Sequence, residues 1–346
     1  MQAHLRQKER PIVTTLTPRR IIQRVVALIA VALVLLAVLA ACDSPADTTF
    51  TLATVLPASG PDATVGQAMQ RAVDLAVKQN ADLGSGYHLT VAQTDENDGG
   101  LSASLAGIAA NAQVVGIVGP LASDSAVAML PVIEQHGITT ITPGAMLPGL
   151  TRSDAAATEG LSFTTLHPIG KPVAFFRVPE TDAAAGLAAA DLALAPAKSH
   201  GLAANAVFTV DDGSSSGQAL VAAFAQELKA HHGSIAGQQS IDAGDPESVQ
   251  SIVSAIVEAQ PDLVFFGGGT AAAASLRATL SLTGAPQLPL LAVGSVAANP
   301  GWSAAVGVVP AAAFTTALAS GPDPASLAAG AKSFVAAYQA AYPGQA

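Results

Sequence analysis

The chain has a single cysteine, Cys42, in 346 residues. No disulfide can form within it, so its stability must come from packing alone. Its seven histidines are scattered, with no H-E-x-x-H pair, which speaks against a catalytic zinc site; no metal and no cofactor is expected. Aromatic residues make up 4% of the chain, and Trp302, after Asn299-Pro300-Gly301, is the one tryptophan and is read as packing. Basic residues are scarce and unevenly spread: six of the 15 (Arg6, Lys8, Arg10, Arg19, Arg20 and Arg24) fall in residues 1–41 beside one acid, Glu9. Residues 42–346 hold nine basic against 24 acidic side chains, a formal charge of −15. A nucleic-acid partner is thereby excluded, because phosphate recognition needs clustered Lys and Arg. With 50% hydrophobic residues the chain is no disordered polymer, and its length allows two domains.

Part of the apolar excess is not fold. The positive segment leads into an uncharged run, Val25 to Ala41, an n-region followed by an h-region. At 17 residues the run sits at the lower edge of membrane-spanning length, so a transmembrane anchor is the alternative. It ends in Leu39-Ala40-Ala41-Cys42, which resembles the lipobox of bacterial lipoproteins, where the cysteine is lipidated and becomes the new N-terminus. Residues 1–41 are expected to be a signal peptide, Cys42 the lipidation site and 42–49 a tether. Both readings put the remainder outside the cytoplasm, held at a membrane.

The stretch with most pattern runs from Val114 to Thr151. Val114 to Val118 is a β-branched run closed by Gly119-Pro120; Ala126, Met129, Leu130 and Ile133 come next at helical spacing; Ile138 to Ile141 is a second apolar run, stopped by Thr142-Pro143-Gly144. That is a βαβ unit, and both loops lie at the carboxyl ends of parallel strands, where open α/β sheets hold ligands. The loop Leu121 to Ser125 offers hydroxyls and helix-start N–H groups, a combination suited to a carboxylate. Upstream, Phe50 to Leu56 and Tyr87 to Gln93 read as strands and Gly66 to Asn80 and Leu101 to Ala112 as helices. The acidic run Asp95-Glu96-Asn97-Asp98 looks briefly like a calcium loop, but its glycine is one place early for an EF-hand, and a solvated turn is the better reading. Downstream, helices Ala183–Ala197, Gln218–His231, Pro246–Gln260 and Thr270–Leu282 alternate with strands Ala206–Val210, Ser234–Ile241, Leu263–Phe266 and Leu288–Val293. Such alternation gives parallel sheets with helices on both faces.

The segment VLPASGPDATVGQAMQRAVDLAV, the acidic turn, IVGPLAS and ITPGAMLPGLT, in this order and spacing, resemble the first lobe of the type I periplasmic solute-binding proteins, the leucine/isoleucine/valine-binding branch above all. The resemblance covers Phe50 to Tyr342. It implies two hinged Rossmann-like lobes: lobe 1 over 50–176, lobe 2 over 177–313 and a return to lobe 1 over 314–346. Residues 152–172 are longer than the usual link and are expected as a surface insertion. Family members continue for several further elements, so the fold is expected to be C-terminally short, with one face of lobe 1 open.

Two motifs compete with that reading. Gly213-Ser214-Ser215-Ser216-Gly217 matches G-x-S-x-G between a strand and a helix, but no histidine comes after His231-His232 to act as base, so a hydrolase on Ser215 is disfavoured. Gly267-Gly268-Gly269 opens a helix as a dinucleotide fingerprint would, yet no acid occurs between Asp262 and Asp323 to hold a ribose. Close approach of helix to sheet, or of backbone to ligand, accounts for these glycines better.

Carried over by the resemblance, the ligand-binding positions are Val65, Leu121, Ala122, Ser123, Ala145 and Met146 in lobe 1, and Asp182, Ser216, Thr270 and Ser295 in lobe 2. Met146 stands where relatives have a threonine, and Ser216, Thr270 and Ser295 where they carry aromatic lids and an ammonium-binding acid. A standard branched-chain amino acid is therefore a poor candidate ligand. The expected protein is a lipid-anchored, monomeric, non-enzymatic binder that captures a small polar solute and delivers it to an ABC permease; a sensing or degenerate relative without transport is the alternative.

Overall fold

The structure, a computed structural model, describes residues 23, 26–31, 47–195, 202, 204–283, 285–293, 296, 315–318 and 327–345. Cys42 and Ser295 lie outside them. In chain order the elements are β1 (Thr48–Leu56), α1 (Ala63–Gln79), β2 (Asp82–Gly84), β3 (Tyr87–Asp95), α2 (Leu101–Ala110), β4 (Val114–Val118), α3 (Ser123–His136) and β5 (Thr140–Thr142). After a 3-10 turn at Pro148–Leu150 come α4 (Ser153–Thr158), α5 (Phe163–Leu166) and β6 (Phe175–Arg177). The second half holds α6 (Asp182–Leu194), β7 (Ala206–Asp211), α7 (Ser215–Ala230), β8 (Ser234–Ser240), α8 (Pro246–Ala259), β9 (Leu263–Gly267), α9 (Thr270–Leu282), β10 (Leu290–Val293), β11 (Thr315–Leu318) and α10 (Ala329–Ala341).

Two sheets result, ordered β2-β3-β1-β4-β5-β6 and β11-β10-β9-β7-β8. The pairings of β1 with β4, β4 with β5 and β5 with β6 are parallel, as are those of β7 with β8 and β9 and of β10 with β9 and β11. Where strand and helix alternate, these parallel strands end in loops on the same edge of their sheet, and those loops line the candidate site. Apart from Thr48 and Gly84, both sheets fall within one compact unit.

Local signals explain where helices start and stop. α8 begins with Asp245, whose carboxylate accepts from Glu247 N, then Pro246 in its first turn. Its buried Val249, Ile252, Val253 and Ile256 fall at i, i+3, i+4 and i+7 against Phe208, Val264 and Phe266. α3 ends on Gly137 in the left-handed conformation, the usual helix stop. In the second sheet, Phe265 stacks on Phe224 of α7 at 3.8 Å between centroids. Gly267 lets α7 approach, since a Cβ there would sit 2.6 Å from Gly217 O. Gly267 of the glycine run thus serves helix-to-sheet packing.

Two expectations need correction. Residues 152–172 are docked as well as surface-borne: Ala156 and Leu166 are buried, and His167 Nδ1 stands 3.2 Å from Glu134 Oε1 while its Nε2 bonds Leu150 O. Glu134 explains the docking, because its buried carboxylate accepts from Ala174 N and Phe175 N and so ties α3 to the start of β6. Thr315–Leu318, expected to begin the return, instead pairs with β10 as the edge strand of the second sheet. α10 does lie on α1, through Tyr338 Oη donating to Ala68 O and Arg71 Nε donating to Tyr338 Oη, both at 3.3 Å. Among the described residues no helix is long and apolar enough to cross a membrane.

Candidate functional site

The two sheets present their carboxyl-end loops to a shared cavity of about 330 Å³. From the first sheet come Val65 and Met69 of α1, Leu121 to Asp124 at the start of α3, and Pro143, Gly144 and Met146 after β5. The linker after β6 and the second sheet supply Pro179, Glu180, Asp182, Asp212, Ser214, Ser216, Leu220, Gly268, Gly269 and Val293. A second recess of about 510 Å³ shares Asp62, Asp212 and Gly269 with it and extends past Ser240, Asp242 and Thr270.

The walls on the first-sheet side are fixed by buried side chains. The Glu96 carboxylate accepts from Leu121 N at 2.7 Å and Ala122 N at 2.8 Å. Burial raises its pKa above the ordinary carboxylate value, against the pull of those two donors. Thr142 Oγ1 donates to Pro120 O and accepts from Gly144 N and Ala145 N, joining the two loops. Gly119 is required beside them: its φ is +127°, and a Cβ would fall 2.0 Å from Val55 O.

Ser123 then links loop to loop and sheet to sheet. Its Oγ accepts from Met146 N and Leu147 N, both at 3.1 Å, and donates over 3.4 Å to Ser216 Oγ. Ser216 in turn donates to Asp182 Oδ2 at 2.5 Å, and Asp182 N donates to Met146 O at 2.9 Å. Apolar contact crosses too, with Met146 packed on the core that includes Leu220, Phe224 and Val293, and Ala219 on the core around Leu130 and Ile133. Asp182 is 3% exposed. Desolvation drives its pKa up to about 7, partly offset by the Ser216 hydrogen bond. Asp62 is raised as well, by burial and then by the charge of Asp212. Asp212 itself accepts from Ser214 N and Oγ through Oδ1 and from Gly269 N through Oδ2.

Sequence comparison decides the family. A profile described as periplasmic binding protein matches residues 49–346. The chain belongs to the periplasmic binding protein family. No curated protein matches it in sequence. Among solved structures of similar fold are a leucine-binding protein of Thermotoga maritima, 19% identical with TM-score 0.68 over 85% of this chain and 76% of that one, and a benzoate-bound ABC transporter solute-binding protein of R. palustris, 22% identical with TM-score 0.66 over 85% and 74%. A branched-chain amino acid transporter substrate-binding protein of Streptococcus pneumoniae, in complex with isoleucine, is 20% identical with TM-score 0.65 over 85% and 78%.

In this periplasmic binding protein the cavity gathers seven of the ten positions carried over by resemblance: Val65, Leu121, Ala122, Ser123, Met146, Asp182 and Ser216. Ala145 does not line it; fully buried, it belongs to the first-sheet core, and its N–H is spent on Thr142. Thr270 faces the neighbouring recess, because it opens α9 just beyond the Gly268–Gly269 lining. Ser295 falls outside the described residues. Glu96, read from sequence as part of a solvated turn, is 5% exposed and consumes the loop N–H groups thought free for a ligand carboxylate. Ser215 of the G-x-S-x-G match and every described histidine lie outside the cavity lining. Asp191, Glu227 and His231 could together hold a metal ion, and none of them lines the cavity.

Sequence reasoning missed Asp62, Met69, Asp124, Glu180 and Asp212. A usable signal existed for two of them: Asp62 and Asp212 each sit between a strand and the next helix, on the edge that faces the ligand in parallel sheets.

Proposed function

We propose that this chain is an extracytoplasmic solute-binding protein that grips a small polar solute between its two halves and delivers it to an ABC importer. The observation that carries the reading is the cavity built jointly from the carboxyl-end loops of both parallel sheets, around Ser123, Met146, Asp182 and Ser216. Relatives of the same fold named for leucine, isoleucine and benzoate support a small organic solute. The halves would part and close as hinged lobes, 50–176 against 177–313. The Ser123–Ser216 and Asp182–Met146 hydrogen bonds and the Met146 contact hold the closed state, and solute adds contacts that only the closed state can make. No bond is made or broken, a reading that rests on membership of a family of binding proteins. Cys42 is the lipid attachment point after removal of residues 1–41, and the protein acts as a monomer at the membrane surface.

A solute screen by thermal unfolding tests the capture step, since a ligand at 100 times its Kd adds about 2.7 kcal/mol of stability. Binding that survives loss of both Ser216 and Asp182 would place the site elsewhere. Membrane association that persists in Cys42→Ala would remove the lipid anchor.

A further inference from the structure

The charge in the cleft runs one way. Asp62, Asp124, Glu180, Asp182 and Asp212 line it, and among the described residues no Lys, Arg or His does. Several main-chain donors at its edge are committed: Leu121 N and Ala122 N to Glu96, Met146 N and Leu147 N to Ser123, Gly269 N to Asp212. The hydroxyl relay has one polarity, from the N–H groups of 146 and 147 to Ser123, on to Ser216, and ending on Asp182 Oδ2. Asp182 is more than nine-tenths buried, lines the cavity, and keeps Oδ1 without a hydrogen-bond partner among the described residues. The neighbouring cation, Arg177, lies outside the lining with its guanidinium bonded to Leu147 O and Thr151 Oγ1, and it acts on Asp182 through its charge without a hydrogen bond to it.

Resting on the reading of this cavity as the solute site, we infer that the solute is a small organic amine, a cation without a carboxylate, whose ammonium is held by Asp182 with Asp62 and Asp212 close by. A buried carboxylate with a free oxygen favours a partner that brings positive charge and N–H donors, whereas a carboxylate on the solute would meet five acids and, among the described lining residues, no cationic side chain. Met69, Met146, Leu220 and Val293 supply an apolar wall for the body of such a molecule. The volume lies at the small end of ligand sites.

The test is calorimetric titration of the full chain in detergent with four probes sharing a small apolar body: 3-methylbutylamine, leucine, 3-methylbutanamide and benzoate. The amine is expected to bind at least about tenfold more tightly than the other three, and Asp182→Asn to weaken it by about 100-fold, as loss of one member of a buried charge pair does. Asp62→Asn, at a half-buried position that makes no capping bond, gives a second variant with a smaller loss of amine affinity. Tighter binding of leucine, the amide or benzoate overturns the cation while leaving solute capture standing. Amine binding unchanged in both variants also overturns it. Silence from all four probes and from a wider solute screen overturns both the cation and the capture reading.

Discussion

The two sheets are built alike in topology and held by different means. In the second, Leu263, Val264, Phe265 and Phe266 of β9 are wholly buried and the strand is packed on both faces. In the first, Ile141 and Phe176 are cross-strand partners and remain 43% and 50% exposed, so one face is open around them. The first half compensates with buried polar fasteners: Glu96 on the 121–122 loop, Thr142 between loops, Glu134 on the start of β6. Apolar sandwiching fixes a backbone by excluding water, and hydrogen-bonded fasteners fix it by leaving no alternative partner for a buried N–H. The site sits where the second method meets the first.

The contrast can be broken by mutation, and the largest effect should come from the sandwich. Phe265→Ala removes the ring stacked on Phe224 and is expected to cost about 3–5 kcal/mol in urea unfolding; a cost equal to that of Phe176→Ala would erase the distinction between the sheets. Next, Glu96→Ala strands the N–H groups of Leu121 and Ala122 and should destabilise by about 2–3 kcal/mol. A change near zero would mean that water replaces the carboxylate and the loop is not pinned.

Asp182 gives a pH-dependent test. Its folded pKa of about 7 lies above the ordinary 3.8, so between those values the folded protein keeps a proton that the unfolded chain has released. Stability is then expected to fall as pH rises from about 4 to 7 and to level off above, with Asp182→Asn flattening that slope. Ser216, Glu159, Arg177 and Glu180 are the groups that act on it, and a slope unchanged in the Asn variant would assign the titration to another acid. Ser123→Ala, which removes the acceptor of one half-buried and one buried N–H group, should cost about 1–2 kcal/mol. Phe176→Ala is expected to cost the least, below about 1 kcal/mol, because the ring is half in water already.

Much of this protein could be read before any coordinates. The β9 and β10 runs, the alternating helices and the turns at Gly119-Pro120 and Thr142-Pro143-Gly144 identify parallel sheets and the edge that lines the cavity, because period and turn chemistry are local properties of the chain. The role of Glu96 was illegible in its own neighbourhood: DENDG reads as a solvated turn, and only a loop 25 residues on makes it a buried clasp. Ala145 reads as a loop position by its place after Pro143-Gly144, and becomes core because Thr142 folds the turn inward.

Sequence alone determined the class of fold and the strand edge that lines the cavity, and it singled out Ser123 among the residues there. It could not determine which donors were already spent, nor that five acids from four segments would converge with no Lys, Arg or His among the described lining residues. Those are questions of long-range distance, and a carboxylate's role depends on what faces it across the cleft, which is settled only when the chain has folded.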